Sequence, residues 1–397
     1  MPAQPKKYFI QTFGCQSNKS DSERLAGDYT ARGYLETLDW RQADEIIINT
    51  CSVRQRAEDR VKGLLINIQN HFDHPLPKGR GASAQRGFKP KIILTGCMTH
   101  HGAKKLYQLL PQVDEILPIS EVGFNQSVLR KDKIHAWVPI STGCNSFCTF
   151  CIVPYSRGRE VSRPLTEILN EIKKLADSGY SQITLLGQNV NSWGLEKAGI
   201  GYRKLLMSRD GFSLKDIPSN ESQYFHPQKT PPFVNLLQKI SLIPQITQIS
   251  FITSNPWDFW DELIDEIAAN PKIDRFIHLP IQSGSDRILK LMNRGYTSQD
   301  YLDLITKIKT KIPDAVFGTD IIVGFPGETK TDFQATVNLI KKANWKVAFV
   351  AQYSPRPGTA AYRLYQDDIP AKEKKHRWEI LDNLINKQNL HVRPEIK

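Results

Sequence analysis

The sequence predicts an α/β fold: an N-terminal doubly wound parallel sheet followed by a partial (β/α)6 barrel. Three observations lead there. Short apolar runs rich in β-branched residues alternate with longer amphipathic stretches along most of the chain, which is the pattern of βαβ units. The apolar runs are continuous rather than alternating, as in strands buried on both faces. Three of the six cysteines follow such runs directly, where open parallel sheets collect their chemistry.

In chain order, Lys7–Thr12, Glu45–Asn49 and Lys91–Thr95 read as strands, and Asp21–Arg32, Val53–Gln69 and Ala103–Leu110 as the helices that follow them. The residues just beyond the strands are Gly14-Cys15, Thr50-Cys51 and Gly96-Cys97, so three cysteines distant in sequence can converge in space. A second series follows, with strands at Ala136–Thr142, Gln182–Leu186, Gln248–Thr253, Arg275–Leu279, Val316–Val323 and Lys346–Gln352. Its first helix is expected over Ser162–Ser178, with a serine N-cap and Pro164 in the first turn. Leu165, Ile168, Leu169, Ile172 and Leu175 then give it one apolar stripe. Six such units make an incomplete barrel whose active face is the strand carboxyl ends. His71–Pro90 and Gly194–Pro232 interrupt the rhythm and read as insertions. The expected organisation is therefore 1–133, 134–366 with an insertion at about 194–232, and a helical tail of mixed charge at 367–397.

Composition narrows the class. The chain has 397 residues, 40% hydrophobic and 24% charged, with 53 Lys+Arg against 41 Asp+Glu, which excludes disordered and fibrous proteins. It lacks an apolar signal region at its start, and no apolar run approaches the ~18 residues of a membrane span. A cytoplasmic protein with reduced thiols is expected, and there cysteines bind metals or do chemistry. The net charge of +12 suits a polyanionic partner.

The remaining cysteines lie in Ser141-Thr142-Gly143-Cys144-Asn145-Ser146-Phe147-Cys148-Thr149-Phe150-Cys151. Soft thiolates at gaps of three and two residues can wrap one corner of a four-iron, four-sulfide cluster and leave one iron open. A three-cysteine zinc site lacking its fourth ligand, or three core cysteines after a strand, are the plainer readings.

Cys144, Cys148 and Cys151 after the first strand of a partial barrel resemble the radical S-adenosylmethionine (radical SAM) enzymes. The cysteines after three strands of the N-terminal domain narrow the resemblance to the methylthiotransferases. The wording around them is similar to the tRNA 2-methylthio-N6-dimethylallyladenosine synthases. The similar segments are Thr12-Phe13-Gly14-Cys15-Gln16-Ser17-Asn18 and Asn49-Thr50-Cys51-Ser52-Val53-Arg54, together with the stretch from Val153 to Pro164. Gln16-Ser17 departs from the Pro-Lys of the ribosomal-protein enzymes and the Lys-Val of the threonylcarbamoyladenosine enzymes.

The resemblance implies two 4Fe-4S clusters, an auxiliary one on Cys15, Cys51 and Cys97 and a radical SAM cluster on Cys144, Cys148 and Cys151. Two S-adenosylmethionine molecules are implied, one as methyl donor and one as radical source, for methylthiolation at C2 of N6-(dimethylallyl)adenosine at tRNA position 37. It further implies a tRNA substrate, a reducing electron donor of the flavodoxin or ferredoxin kind, and a monomer. Cofactor binding is expected at the barrel strand ends: Gln188 and Asn189, Ser254, His278 and Gln282, and Asp320 and Gly324. Arg157, Arg159 and Arg163 could hold RNA phosphates or form a solvated basic face. Bacterial relatives continue into a small β-barrel RNA-binding domain, the TRAM domain, after the position of Asn383–Leu390. The sequence ends at Lys397 without that domain, so the expectation is either a truncated sequence or an enzyme that lacks it. A methylthiotransferase with another target, a non-enzymatic iron–sulfur protein and a zinc-stabilised RNA-binding module are the rival readings.

Overall fold

Glu45–Thr50 has the sequence EIIINT, and all six residues are buried, because a strand covered on both faces tolerates no solvent side. It is β3 of a five-stranded parallel sheet in a computed structural model that describes residues 4–387, except 54, 74–88, 123–127 and 196–229. The other strands are β1 (Lys7–Thr12), β2 (Leu35–Glu36), β4 (Lys91–Gly96) and β5 (Glu115–Ile116), in the order β2-β1-β3-β4-β5. The register sets Ile47 of β3 against Ile10 of β1 and Ile93 of β4. Successive side chains point to opposite faces. Ile47 and Ile93 therefore pack with Leu25, Ala26 and Tyr29 from the helix Gln16–Ala31. Ile46, Ile48 and Leu94 pack with Val61, Leu65 and Ile68 from the helix Gln55–Asp73 on the other side. Helices on both faces make the sheet doubly wound. The two-residue edge strands β2 and β5 are too short to leave any periodic signal in the sequence.

This unit comprises Met1–Lys131 together with Tyr155–Arg157, and a second unit comprises Asp132–Pro154 and Gly158–Lys397. In the second unit β6 (His135–Pro139) is followed by β7 (Ser141–Thr142), which pairs antiparallel with β8 (Val161–Ser162). The single strand expected over Ala136–Thr142 divides here because the Ile140 carbonyl accepts from Arg163 N (2.8 Å) instead of continuing the ladder. Ser162 belongs to β8, and its hydroxyl accepts from Gly194 N (2.9 Å). The following helix starts later than expected, at Leu165, with Pro164 in the N-cap position and no side-chain cap.

The remaining strands are β9 (Gln182–Leu186), β10 (Gln248–Phe251), β11 (Phe276–His278), β12 (Val316–Val323) and β13 (Val347–Gln352). They form two parallel sheets, β6-β9-β10 and β11-β12-β13, each in chain order. Ser254 N donates to His278 O (3.3 Å), and an isolated bridge links Ile249 to Ile273, so the halves continue one another as a six-stranded open barrel. Ile183, Leu185, Ile249, Ile277, Phe317 and Ile321 pack outward against helix residues such as Ile172, Leu237 and Ile308, in the layer between strands and helices. The expected C-terminal tail is part of this unit. Its helix, Ala371–Asp382, packs on β13, with Trp378 Nε1 donating to Val350 O (2.8 Å) and Asn386 pairing with both backbone groups of Ala348. No helix among the described residues is long and apolar enough to cross a membrane. Most of both expected insertions lies outside the described residues.

Candidate metal centres

In the first unit β1, β3 and β4 are neighbours, and each leads directly into one cysteine of the set Cys15, Cys51 and Cys97. Two glycines make the turns possible. Gly14 (φ 131°) and Gly96 (φ 90°) adopt backbone that L side chains rarely enter. A Cβ on Gly14 would lie 2.6 Å from Asn18 Oδ1 and 3.0 Å from Cys51 Cβ, and one on Gly96 would lie 2.5 Å from Asn49 Oδ1.

Beneath the cysteines runs a buried amide network. Asn18 Nδ2 donates to Asn49 Oδ1 and Thr50 O (both 2.9 Å), while Asn49 Nδ2 donates to Asn18 O (2.8 Å) and Ser22 Oγ (3.0 Å). Thr50 Oγ1 donates to Thr95 O (2.5 Å) and accepts from Met98 N (3.2 Å). These bonds tie the ends of β3 and β4 to each other and to the helix Gln16–Ala31 that follows β1.

The sulfurs receive donors of their own. Val53 N points at Cys51 Sγ (3.4 Å), and the Arg157 Nε points at Cys97 Sγ (3.4 Å). Cys51 and Cys97 are buried and Cys15 is exposed. His100, held through Nδ1 on Cys97 O (2.7 Å) and stacked on His101, has its pKa lowered by burial.

The second set stands on one loop after β7. Gly143 (φ 74°) opens it, and a Cβ there would lie 2.6 Å from Gly158 O. Thr149 N donates to Met292 O (3.0 Å) and Ala361 N to Thr149 O (2.7 Å), which pin the loop between its cysteines. Phe147 sits at φ 48°, its carbonyl held by Asn293 Nδ2 (3.1 Å). Burial pushes the Cys144 thiol up to about 12, and Cys148 beside it adds to the rise although Ser146 hydrogen bonds oppose it. Cys151 is raised too, by burial and then by its two neighbours.

Arg294 is buried against this set. Its Nη1 donates to Cys148 Sγ (3.3 Å), its Nη2 to Pro280 O (2.8 Å) and its Nε to Tyr296 Oη (2.8 Å). Its guanidinium carbon lies 4.5 Å from the Trp257 ring centre. Sequence reading missed Arg294 because nothing in Asn293-Arg294-Gly295-Tyr296 announces a contact with a residue 146 positions away.

The six thiols are free, and the donor set of each group is soft. Among the described residues no three His, Cys, Asp or Glu side chains converge closely enough to hold a single metal ion. A four-iron cube asks less of them, since each thiolate meets its own iron. Three soft thiols in each set fit such a cluster, and N–H groups are already aimed at the sulfurs of Cys51, Cys97, Cys144 and Cys148.

The other expected residues lie at the carboxyl ends of the barrel strands. After β9, Gln188 is half-buried and Asn189 is buried, its Nδ2 donating to Asp258 Oδ2 (2.7 Å). Ser254 follows β10, and its buried hydroxyl has no hydrogen-bond partner; the same holds for Ser141. A Cβ on Gly187 would lie 2.8 Å from that Ser141 hydroxyl, so the glycine leaves a small polar recess.

His278 ends β11, accepts from Thr253 N at Nδ1 (3.2 Å) and turns Nε2 toward Asp320 Oδ1 (3.5 Å). Gln282 is held at φ 76°, between Asp320 O and Ile322 N of β12 (both 2.9 Å). Left-handed backbone at a non-glycine residue is strain of the kind that gathers at ligand sites. These hydroxyls and the recess fit a polar ligand such as the methionine end of S-adenosylmethionine.

At Gly324 (φ 68°) the Lys374 stem stands where a side chain would go, with its Cδ 3.1 Å from an added Cβ. One expectation is corrected. The arginines of the Val153–Pro164 stretch do not form one basic face. Arg157 is ion-paired to Asp21 (2.7 Å) and Arg163 to Glu171 (2.8 Å), both nearly inaccessible. Arg159 alone is exposed, stacked 4.3 Å from the Phe147 ring centre.

Residues 138–340 match the Radical SAM superfamily, and residues 7–118 match the uncharacterized protein family UPF0004. The chain is 38% identical over 404 residues to a tRNA-2-methylthio-N(6)-dimethylallyladenosine synthase of Thermotoga petrophila, covering 98% of this chain and 84% of the relative. A synthase of the same name from Desulforamulus reducens is 40% identical over 416 residues, with 97% and 82% covered. Among solved structures, the radical S-adenosylmethionine methyltransferase TsrM of Kitasatospora setae aligns with a TM-score of 0.51 and 14% identity, over 90% of this chain and 75% of that one. That likeness is one of fold alone.

Proposed function

Because this chain belongs to the family of tRNA-2-methylthio-N(6)-dimethylallyladenosine synthases, within the radical SAM superfamily, we propose that it adds a methylthio group to C2 of N6-(dimethylallyl)adenosine at tRNA position 37. The observation that carries this reading is the pair of three-cysteine sets, one on adjacent strand ends and one on a single loop. Cys144, Cys148 and Cys151 would hold the radical SAM 4Fe-4S cluster, and Cys15, Cys51 and Cys97 an auxiliary one. When bound, these groups and two S-adenosylmethionine molecules supply the methyl group, the sulfur-bearing centre and the radical that an unactivated aromatic C–H bond demands.

The chain's own residues hold and shield. Two glycine turns and the Asn18–Asn49 network fix the strand ends that carry the auxiliary ligands. Arg294 sets a permanent cation and an N–H donor against the Cys148 sulfur. The buried hydroxyls of Ser141 and Ser254, with Gln188, Asn189, His278, Gln282 and Asp320, offer polar contacts for the cofactor at the barrel's carboxyl face. The chain works as a monomer, with a low-potential flavodoxin- or ferredoxin-like donor supplying electrons.

The test is nucleoside mass spectrometry of tRNA from a methylthio-deficient host that expresses this chain. The 2-methylthio-dimethylallyl nucleoside is expected. Its absence, alongside a methylthiolated threonylcarbamoyl nucleoside, would move the substrate and leave the chemistry.

A further inference from the structure

Tyr155–Arg157 follow the Cys144–Cys151 loop in sequence, yet they are part of the first unit. Through them Arg157 reaches Cys97. Its Nε donates to Cys97 Sγ (3.4 Å), and its Nη2 donates to Asp21 Oδ2 (2.7 Å). The Arg157 side chain is 6% exposed and that of Asp21 13%, so water does little to screen either charge. Cys15 also lies within the electrostatic reach of this guanidinium. A buried ion pair is costly to assemble and gains little stability by itself. What the pair does accomplish is to set one N–H and one delocalised positive charge against a thiol of the auxiliary set, with the carboxylate moderating that charge.

We propose that Arg157 and Asp21 are a positioning pair for the auxiliary centre: Arg157 donates to the Cys97 sulfur and raises the centre's reduction potential, and Asp21 orients Arg157 and limits the rise. This rests on the reading of Cys15, Cys51 and Cys97 as cluster ligands. Hydrogen bonds to ligand sulfurs and local net charge are the protein's main levers on such potentials. The two residues pull in opposite directions, since a donor cation favours the reduced, more negative cluster and a carboxylate disfavours it. Arg157 is the residue type the role needs, because its planar fork serves a carboxylate and a sulfur at once while staying charged.

The test uses the full chain, reconstituted anaerobically with ferrous iron and sulfide. Iron and sulfide per chain are counted, and the midpoint of each cluster is followed by electron paramagnetic resonance, with Cys15→Ala and Cys144→Ala chains assigning the signals. Arg157→Gln is expected to move the auxiliary midpoint to more negative potential, Asp21→Asn to more positive potential, and Arg157→Lys to an intermediate value. The other centre's midpoint stays where it was. Shifts of the same sign in Arg157→Gln and Asp21→Asn, or no shift in either, would overturn the proposal. If Arg157→Gln sheds its auxiliary iron, Asp21→Asn decides: a positive shift supports the pair and an unmoved midpoint rejects it. A wild-type chain with iron for one cluster alone would defeat the ligand reading and the pair with it. Two clusters with unmoved midpoints would defeat only the pair.

Discussion

Cys144, Cys148 and Cys151 meet along one short loop, whereas Cys15, Cys51 and Cys97 come from three strands and become neighbours only when the sheet forms. Each set has a buried arginine against one sulfur, but the two arginines differ in company. Arg157 faces a carboxylate, Asp21, and Arg294 is surrounded by a phenol, a carbonyl and an indole. The local set therefore keeps a full positive charge beside it, and the sheet-built set keeps a moderated one. A centre built from local sequence can be fixed by a few backbone contacts. One assembled across a sheet depends on everything that fixes strand ends in register.

The largest test of this contrast removes one thiol from each set. Cys144→Ala and Cys97→Ala should each abolish the methylthiolated nucleoside and each lose about half of the iron. They should part on cofactor cleavage, with 5′-deoxyadenosine formation lost in Cys144→Ala and kept in Cys97→Ala. Equal loss in both would mean that the two sets do not work separately.

Next in size is Gly96→Ala, which forces a side chain into left-handed backbone and against Asn49. A cost of about 3 kcal/mol is expected, read from the urea midpoint, with auxiliary iron lost before the other. Asn49→Ala strips both of its amide donors and one acceptor from the buried network, at a cost of about 2 kcal/mol. Auxiliary iron should again be the fraction released. A urea midpoint within error of wild type would remove the network from the account.

The smallest is Thr297→Ala, which breaks a capping box in the second unit, where Thr297 accepts from Asp300 N (3.1 Å) and Asp300 accepts from Thr297 N (2.8 Å). About 1 kcal/mol should be lost, with the iron of both centres unchanged.

Much of this was legible because it is local. Short runs rich in β-branched or aromatic residues placed Lys7–Thr12, Gln182–Leu186 and Val316–Val323 where the strands are, and cysteines at strand ends follow from those positions. What escaped is what depends on a partner. The break at Ile140 exists because a distant Arg163 takes its carbonyl. Arg157 was open to a phosphate contact or a solvated face because its partner, Asp21, is 136 residues away. Of the three basic side chains in that stretch, pattern alone could not say which one stayed exposed, since a buried arginine and a solvated one have the same spelling.

The amide network under Cys15, Cys51 and Cys97 has a consequence for the order of assembly. Its bonds run between protein groups and are complete without any metal. Zinc fingers fold because the metal arrives, but here the sheet ends are closed by asparagine and threonine first. A cluster held by these three cysteines would then be added to a receptacle already closed by protein groups. The unit should survive chelation as a folded protein, and a carrier that donates clusters would meet it through the exposed Cys15 rather than through its two buried companions.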